Sequence, residues 1–150
     1  GWYLVSVVGH QSYQGRPAVV VDGGTHQRAD LCGLQLSTRA RPPLVLEADP
    51  ADARPTDVLG CLSLPADVLA AECPLPPLET GTVLAFADAG AYGLWSSPAL
   101  FHGSPLPAEV AFDSTTIPPT ISLMRTPRPA RSILDDQAHV LESQVHVETN

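Results

Sequence analysis

Three clusters in this chain have residue types and spacing suited to chemistry. The run Asp88-Ala89-Gly90-Ala91-Tyr92-Gly93 sets a tyrosine hydroxyl among small residues. There Gly90 and Gly93 relieve backbone crowding and Ala91 lets a ligand approach; the bland alternative is a tyrosine that orders a turn. Cys61 and Ser63 stand two residues apart, so on a strand over Val58 to Ser63 they point to one face, with Asp67 four residues further on. Arg28 lies close to His26 after Asp22-Gly23-Gly24, a pair suited either to an anion or to a solvated loop. One chemistry is excluded outright. The eight basic residues are all arginines, so no lysine can act as an amine nucleophile.

No Ser-His-Asp order, phosphate-binding loop or paired-carboxylate motif points to another reaction. His10, His26, His102, His139 and His146 lack metal-ligand spacing, so no metal is expected. Cys32, Cys61 and Cys73 are odd in number and form no CxxC, which reads as buried thiols in a reducing cytoplasm.

Short strands must position these groups. Trp2 to Val8 and Pro17 to Val21 are apolar and β-branched, with a turn over Gln11 to Gly15, and predict a hairpin. Further strands are expected at Leu44 to Glu47, Val58 to Leu62, Thr82 to Ala87 and Glu109 to Phe112, with Ala48 to Thr56 a polar connection. Asp67 to Ala70 reads as a short helical turn. Sixteen prolines and eleven glycines argue against long helices before residue 120. In the tail, Ser132 with Asp135 three residues on predicts a cap. Leu134, Ala138, Leu141 and Val145 follow on one helical face. The expected fold is all-β, a small barrel or sandwich with a short C-terminal helix.

The 150 residues suit one domain with a real core, and 44% of them are hydrophobic. A formal charge of −8 argues against nucleic acid or an anionic membrane as partner. No apolar run reaches membrane-spanning length and no signal peptide opens the chain. The expected location is the cytoplasm.

Three ordered blocks resemble the C-terminal β-domain of fold-type III pyridoxal-phosphate (PLP) dependent decarboxylases, the group of diaminopimelate and ornithine decarboxylases. The first runs from Gly1-Trp2-Tyr3-Leu4-Val5 through Asp22-Gly23-Gly24. The second is Val58 to Leu69 followed by Leu75 to Gly81. The third is Phe86 to Gly93 with Ser97-Pro98, Phe101 and Pro105 to Val110. They divide the chain into a β-barrel over residues 1–113 and an extension, 114–150, with a last strand and the helix. Asp22 to Gln27 and Ser97 to Glu109 are most similar to a branch acting on carrier-protein-linked acids in bacterial biosynthetic pathways.

The resemblance implies a division of labour. In the family a (β/α)8 barrel carries the Schiff-base lysine, and the β-domain reaches across a dimer interface to the other subunit's cofactor. Tyr92, with Gly90 in its turn, would hydrogen-bond the PLP phosphate. The family's cysteine, which helps control protonation after carbon dioxide departs, is matched by Ser63, and its aspartate by Asp67. A serine hydroxyl is a far weaker acid than a thiol, so Ser63 is a poor proton donor; Cys61 would substitute only after a backbone shift and is expected rather as a packed small residue. Many relatives carry Arg-Pro-x-Leu-Tyr after DGG to engage substrate. Here Arg28-Ala29-Asp30-Leu31-Cys32-Gly33 fits only with a two-residue deletion, and a gap-free match to the carrier branch loses its paired histidine and serine. The substrate pocket is expected to draw on Arg28, His26, Trp95 and Phe101.

Three readings follow. As half of an enzyme, the chain would be inactive in PLP chemistry alone and would use PLP when a partner barrel, in a separate subunit or a homodimer, supplies lysine. As a stand-alone, PLP-independent barrel, it would bind an apolar small molecule among Trp95, Phe101 and Phe86 and promote a cyclisation in natural-product biosynthesis. As a noncatalytic module it would dock a carrier protein, which its acidic charge suits poorly.

Overall fold

The computed structural model describes residues 1–32, 42–46, 52–90 and 92–136. The chain forms two compact units, Gly1–Pro98 and Ala99–Asn150. The resemblance boundary at residue 113 and this contact boundary mark different things: one ends a sequence pattern, the other a set of packed strands.

In the first unit, β1 (Tyr3–Tyr13) alternates strictly at its start, with Tyr3, Val5 and Val7 buried and Trp2, Leu4 and Val8 exposed. It pairs with β2 (Arg16–Val21) through the two-residue turn Gln14-Gly15. Both turn residues have positive φ, +50° and +78°, the geometry that matches strand twist in tight hairpins. The strand therefore runs to Tyr13, past the expected turn over Gln11 to Gly15. The pairing slips between Val7 and Gly9, a bulge that bends β1.

The other strands are β3 (Leu44–Val45), β4 (Arg54–Leu59), β5 (Val68–Leu75) and β6 (Val83–Phe86). The sheet order is β3-β6-β1-β2-β4-β5, with β2 and β4 parallel and every other pair antiparallel. Tyr3, Val5, Val21, Val58, Leu69, Leu75, Leu84 and Phe86 pack into one core. The expected all-β class holds, as a half-barrel sheet with edges at β3 and β5.

Two local expectations fail. Asp67 to Ala70 is not a helical turn, because Val68 begins β5. That strand hides its alternation behind Ala70-Ala71 and a kink where Glu72 takes φ +53°. The fully buried Asp57 carboxylate fills the kink, accepting the Glu72 amide at 2.8 Å and pairing with Arg16 at 3.1 Å. Likewise Val58 to Leu62 is not the fourth strand; it starts at Arg54, inside the polar connection, and ends at Leu59.

In the second unit, β7 (Glu109–Asp113) pairs with β8 (Thr120–Arg125). The cross-strand partners Val110–Leu123 and Phe112–Ile121 share one face of this hairpin, and all four are more than half exposed. At the end of the hairpin Arg125 pairs with Glu109 at 2.8 Å. Residues 130–136 are helical. Ser132 lies inside that helix rather than capping it, its hydroxyl donating to the Pro129 carbonyl at 2.8 Å. Ala138, Leu141 and Val145 lie outside the described residues. Among the described residues no helix is long and apolar enough to cross a membrane.

Candidate functional site

Chain direction reverses after β2 at Asp22-Gly23-Gly24, and the close approach needed there explains the glycines. A methyl group on Gly23 would overlap the Tyr3 hydroxyl, and one on Gly24 or Gly60 would overlap the Asp67 carboxylate. Tyr3 donates to Gln27 Oε1 at 2.6 Å and accepts the Gly24 amide at 3.1 Å. Burial pushes its phenol well above the ordinary tyrosine range, so it stays protonated.

Asp67 sits at the centre of this turn. It is 2% exposed. Oδ1 accepts the Thr25 amide and the Thr25 hydroxyl, both at 2.7 Å, and Oδ2 accepts the Leu62 amide at 2.8 Å. The carboxylate thus ties the residues after β2 to those after β4, and the Cys61 backbone N–H adds a hydrogen bond to the Gly23 carbonyl at 2.9 Å.

Cys61 and Ser63 do not share a strand face. Both fall in the bend between β4 and β5, because Gly60 leaves the ladder to let Asp67 in. Both are exposed. Partial burial and the nearby Asp67 charge raise the Cys61 thiol above its usual value. Cys32 is pushed up to about 11, chiefly by burial, against a hydrogen bond with Thr25.

His26 is 1% exposed, and its Nδ1 has no hydrogen-bond partner among the described residues. Burial lowers its basicity more than Asp67 raises it, so the ring is held neutral. Arg28 is 3% exposed and already engaged: Nε and Nη2 meet the two Asp30 oxygens at 2.8 Å each. Its guanidinium also lies 5.8 Å from the Tyr3 ring centroid. The solvated-loop alternative for this pair is therefore wrong.

The Asp88–Gly93 turn begins with Asp88 at φ +62°. Ala91 lies outside the described residues. A methyl at Gly90 would meet nothing within 4 Å, so the expectation that this glycine relieves crowding fails: the space beside it is open. At Gly93 a methyl would come within 3.2 Å of the Gly90 carbonyl oxygen. Tyr92 is 76% exposed and Trp95, one turn on in the 3-10 helix Leu94–Ser96, is 73% exposed. Phe86 is not available to a pocket, since it is buried in the core with its ring 6.3 Å from that of Tyr3. Phe101 belongs to the second unit, stacked on His102 at 4.2 Å.

These residues fit PLP in part. An exposed phenol beside an unobstructed glycine can receive a phosphate, whereas a chain without lysine cannot anchor the cofactor covalently. Sequence reasoning missed Thr25, Gln27 and Ser97, whose polar atoms do the local holding. The signal was weak, for their partners lie 24 to 68 residues away.

A separate cavity of about 190 Å³ opens among His10, Pro17, Arg54, Thr56, Pro76 and Leu78. His10 Nε2 hydrogen-bonds the Leu78 carbonyl there at 2.7 Å.

Comparison with known proteins agrees with this architecture. Residues 1–90 match the family described as pyridoxal-dependent decarboxylase, C-terminal sheet domain. An L-glutamyl acyl-carrier-protein decarboxylase from Niallia circulans is 29% identical over 113 residues, 72% of this chain and 26% of that protein. A diaminopimelate decarboxylase from Helicobacter pylori complexed with L-lysine superposes with a TM-score of 0.75 at 21% identity, covering 92% of this chain and 32% of that one. Another, from M. jannaschii, gives 0.73 at 19% identity, covering 86% and 28%. The chain spans between a quarter and a third of the length of these relatives.

Proposed function

The chain belongs to the C-terminal sheet domain family of pyridoxal-dependent decarboxylases, and from that premise we propose that it forms one wall of a decarboxylase site. The other wall, with the covalent lysine, comes from a (β/α)8-barrel partner. The observation that carries this reading is the Tyr92 turn: an exposed phenol beside Gly90, on a chain that contains no lysine. Bound there, PLP would supply the electron sink for loss of carbon dioxide. Tyr92 would hold its phosphate, and Trp95 would shield the substrate from water.

Substrate class follows more loosely. The similarity to a decarboxylase named for a carrier-protein-linked glutamyl group supports an acid borne on a carrier over a free diamino acid. The engaged state of Arg28 agrees, because its charge is already matched by Asp30 and is not offered to a free carboxylate. Ser63 and Cys61, both exposed, are the groups of this chain open to a proton-transfer role. Asp67, with three donors on its two oxygens, supports the turn that carries them.

The test is spectroscopic. The purified chain should leave the PLP spectrum unchanged, and adding a lysine-bearing barrel polypeptide of the family should shift it. Tyr92→Phe should then weaken PLP binding by about 10-fold, the value of one charge-assisted hydrogen bond. A spectrum that no mixture alters would sink the proposal. A monomer that instead encloses an apolar small molecule would support the stand-alone cyclase.

A further inference from the structure

We propose that Ser97, Arg28 and Asp30 form a strap that positions the Tyr92 turn, so that the wall is built before any ligand arrives. This rests on the reading of Tyr92 as a phosphate contact only for its purpose, not for its existence.

The strap runs between segments far apart in sequence. Ser97 Oγ accepts the Ala29 amide at 2.9 Å and donates to the Gly93 carbonyl at 2.8 Å. One hydroxyl therefore relays between the segment after DGG and the residue following Tyr92, and such chains of hydrogen bonds reinforce one another. Next to it, Ser96 Oγ donates to the Tyr92 carbonyl at 2.5 Å, closing the turn on itself. On the other flank, Arg28 reaches the Ala87 carbonyl through Nη1 and Nη2, both at 3.4 Å. Those two contacts are long and weak. Arg28 is nonetheless fixed, because the Asp30 fork sets the plane of its guanidinium. Its Cδ would also lie 3.6 Å from a methyl placed on Gly93. The turn is thus braced at Ala87, just before Asp88, and at Gly93, just after Tyr92.

A brace of this kind matters because Tyr92 itself is 76% exposed and gains little from packing. Left alone, an exposed turn samples many conformations, and a ligand would have to order it on binding. Ser97 and Arg28 are accordingly positioning residues. They act on the cofactor wall through the backbone that carries Tyr92.

Amide hydrogen exchange on the whole purified chain tests the strap. Ser97→Ala should speed exchange at the Gly93 and Ser97 amides by about 10-fold, the effect expected for losing the relay. Exchange in β1 and β6 should stay unchanged, and Ser97→Thr, which keeps the hydroxyl, should restore protection. Arg28→Met should loosen the same turn. Unchanged exchange in Ser97→Ala, or a rise spread evenly over β1 and β6, would overturn the proposal. A second measurement keeps the two readings apart. Millimolar inorganic phosphate should shift the Gly90 and Gly93 amide resonances of the native chain, and should do so less in Ser97→Ala. If phosphate shifts nothing while Ser97→Ala still loosens the turn, the phosphate contact fails and the strap stands.

Discussion

Asp67 Oδ1 lies 2.7 Å from both the amide nitrogen and the hydroxyl oxygen of Thr25, so one carboxylate oxygen pins a turn 42 residues earlier in the chain. Removing it strands buried donors. Asp67→Ala should cost about 3 kcal/mol or more, since each orphaned buried donor carries its own desolvation penalty. Asp67→Asn should cost less, about 1–3 kcal/mol, because its amide oxygen can still accept from Thr25 while its amide nitrogen faces the Leu62 N–H as donor against donor. Urea unfolding of the two variants measures both; equal, small losses would show that the turn holds without the carboxylate.

Stability should fall on mild acidification, through His26. Its folded pKa is lowered by burial, so between that value and the unfolded value of about 6.5 the unfolded chain binds more protons. Stability is then full above about pH 6.5 and declines below it, by at most about 1.4 kcal/mol per pH unit. Denaturant midpoints at three pH values, for the native chain and His26→Gln, isolate the effect. The variant should lack the slope between neutrality and the range where carboxylates titrate.

The two tyrosines of the site should separate cleanly. Tyr3→Phe leaves Gln27 and the Gly24 amide without their partner and should cost about 1–2 kcal/mol. The native chain should also weaken above about pH 10, where the unfolded phenol ionises and the buried one does not. Tyr92→Phe, at an exposed position, should change stability by less than about 0.5 kcal/mol. Thermal melts at neutral and alkaline pH distinguish the two.

Arg16→Met tests the kink in β5. It takes the guanidinium from the fully buried Asp57, which still accepts the Glu72 amide, and should cost about 1–2 kcal/mol. That figure is discounted because the Arg16 side chain is 31% exposed. Added salt should narrow the gap between native and variant chains in the same unfolding experiment.

What the sequence disclosed, and what it hid, divides along physical lines. The β1–β2 hairpin was legible because Val5, Val7, Val19 and Val21 alternate and Gln14-Gly15 is a turn pair. The start of β5 was not, because Ala70-Ala71 carries no period-two signal and the Glu72 kink shifts the pattern. Near the site, Gly93 has the close neighbour its motif suggested and Gly90 does not, while the tight contacts of Gly23 and Gly24 with Tyr3 and Asp67 come from distant residues that no local pattern marks. Arg28 looked like a free cation because its partner Asp30, two residues away, reads equally well as solvated. Cys61 and Ser63 were placed on a strand face since Val58 and Leu59 extend the apolar run up to them. Only the need to seat Asp67 against Gly60 breaks that strand, and no local pattern records a contact of that kind.

The parallel pairing of β2 with β4 carries a consequence for the order in which the molecule assembles. Ala18 faces Asp57 across a long intervening segment, and such non-local pairing is slow because the loop must close before its contacts form. The β1–β2 hairpin can form early, from neighbouring residues alone. Thr25 cannot meet Asp67 until β4 has docked and the chain beyond it has arrived. In refolding, protection of the Thr25 amide should therefore lag behind that of Val19. The half of the molecule richest in candidate chemistry is the half that time delivers last.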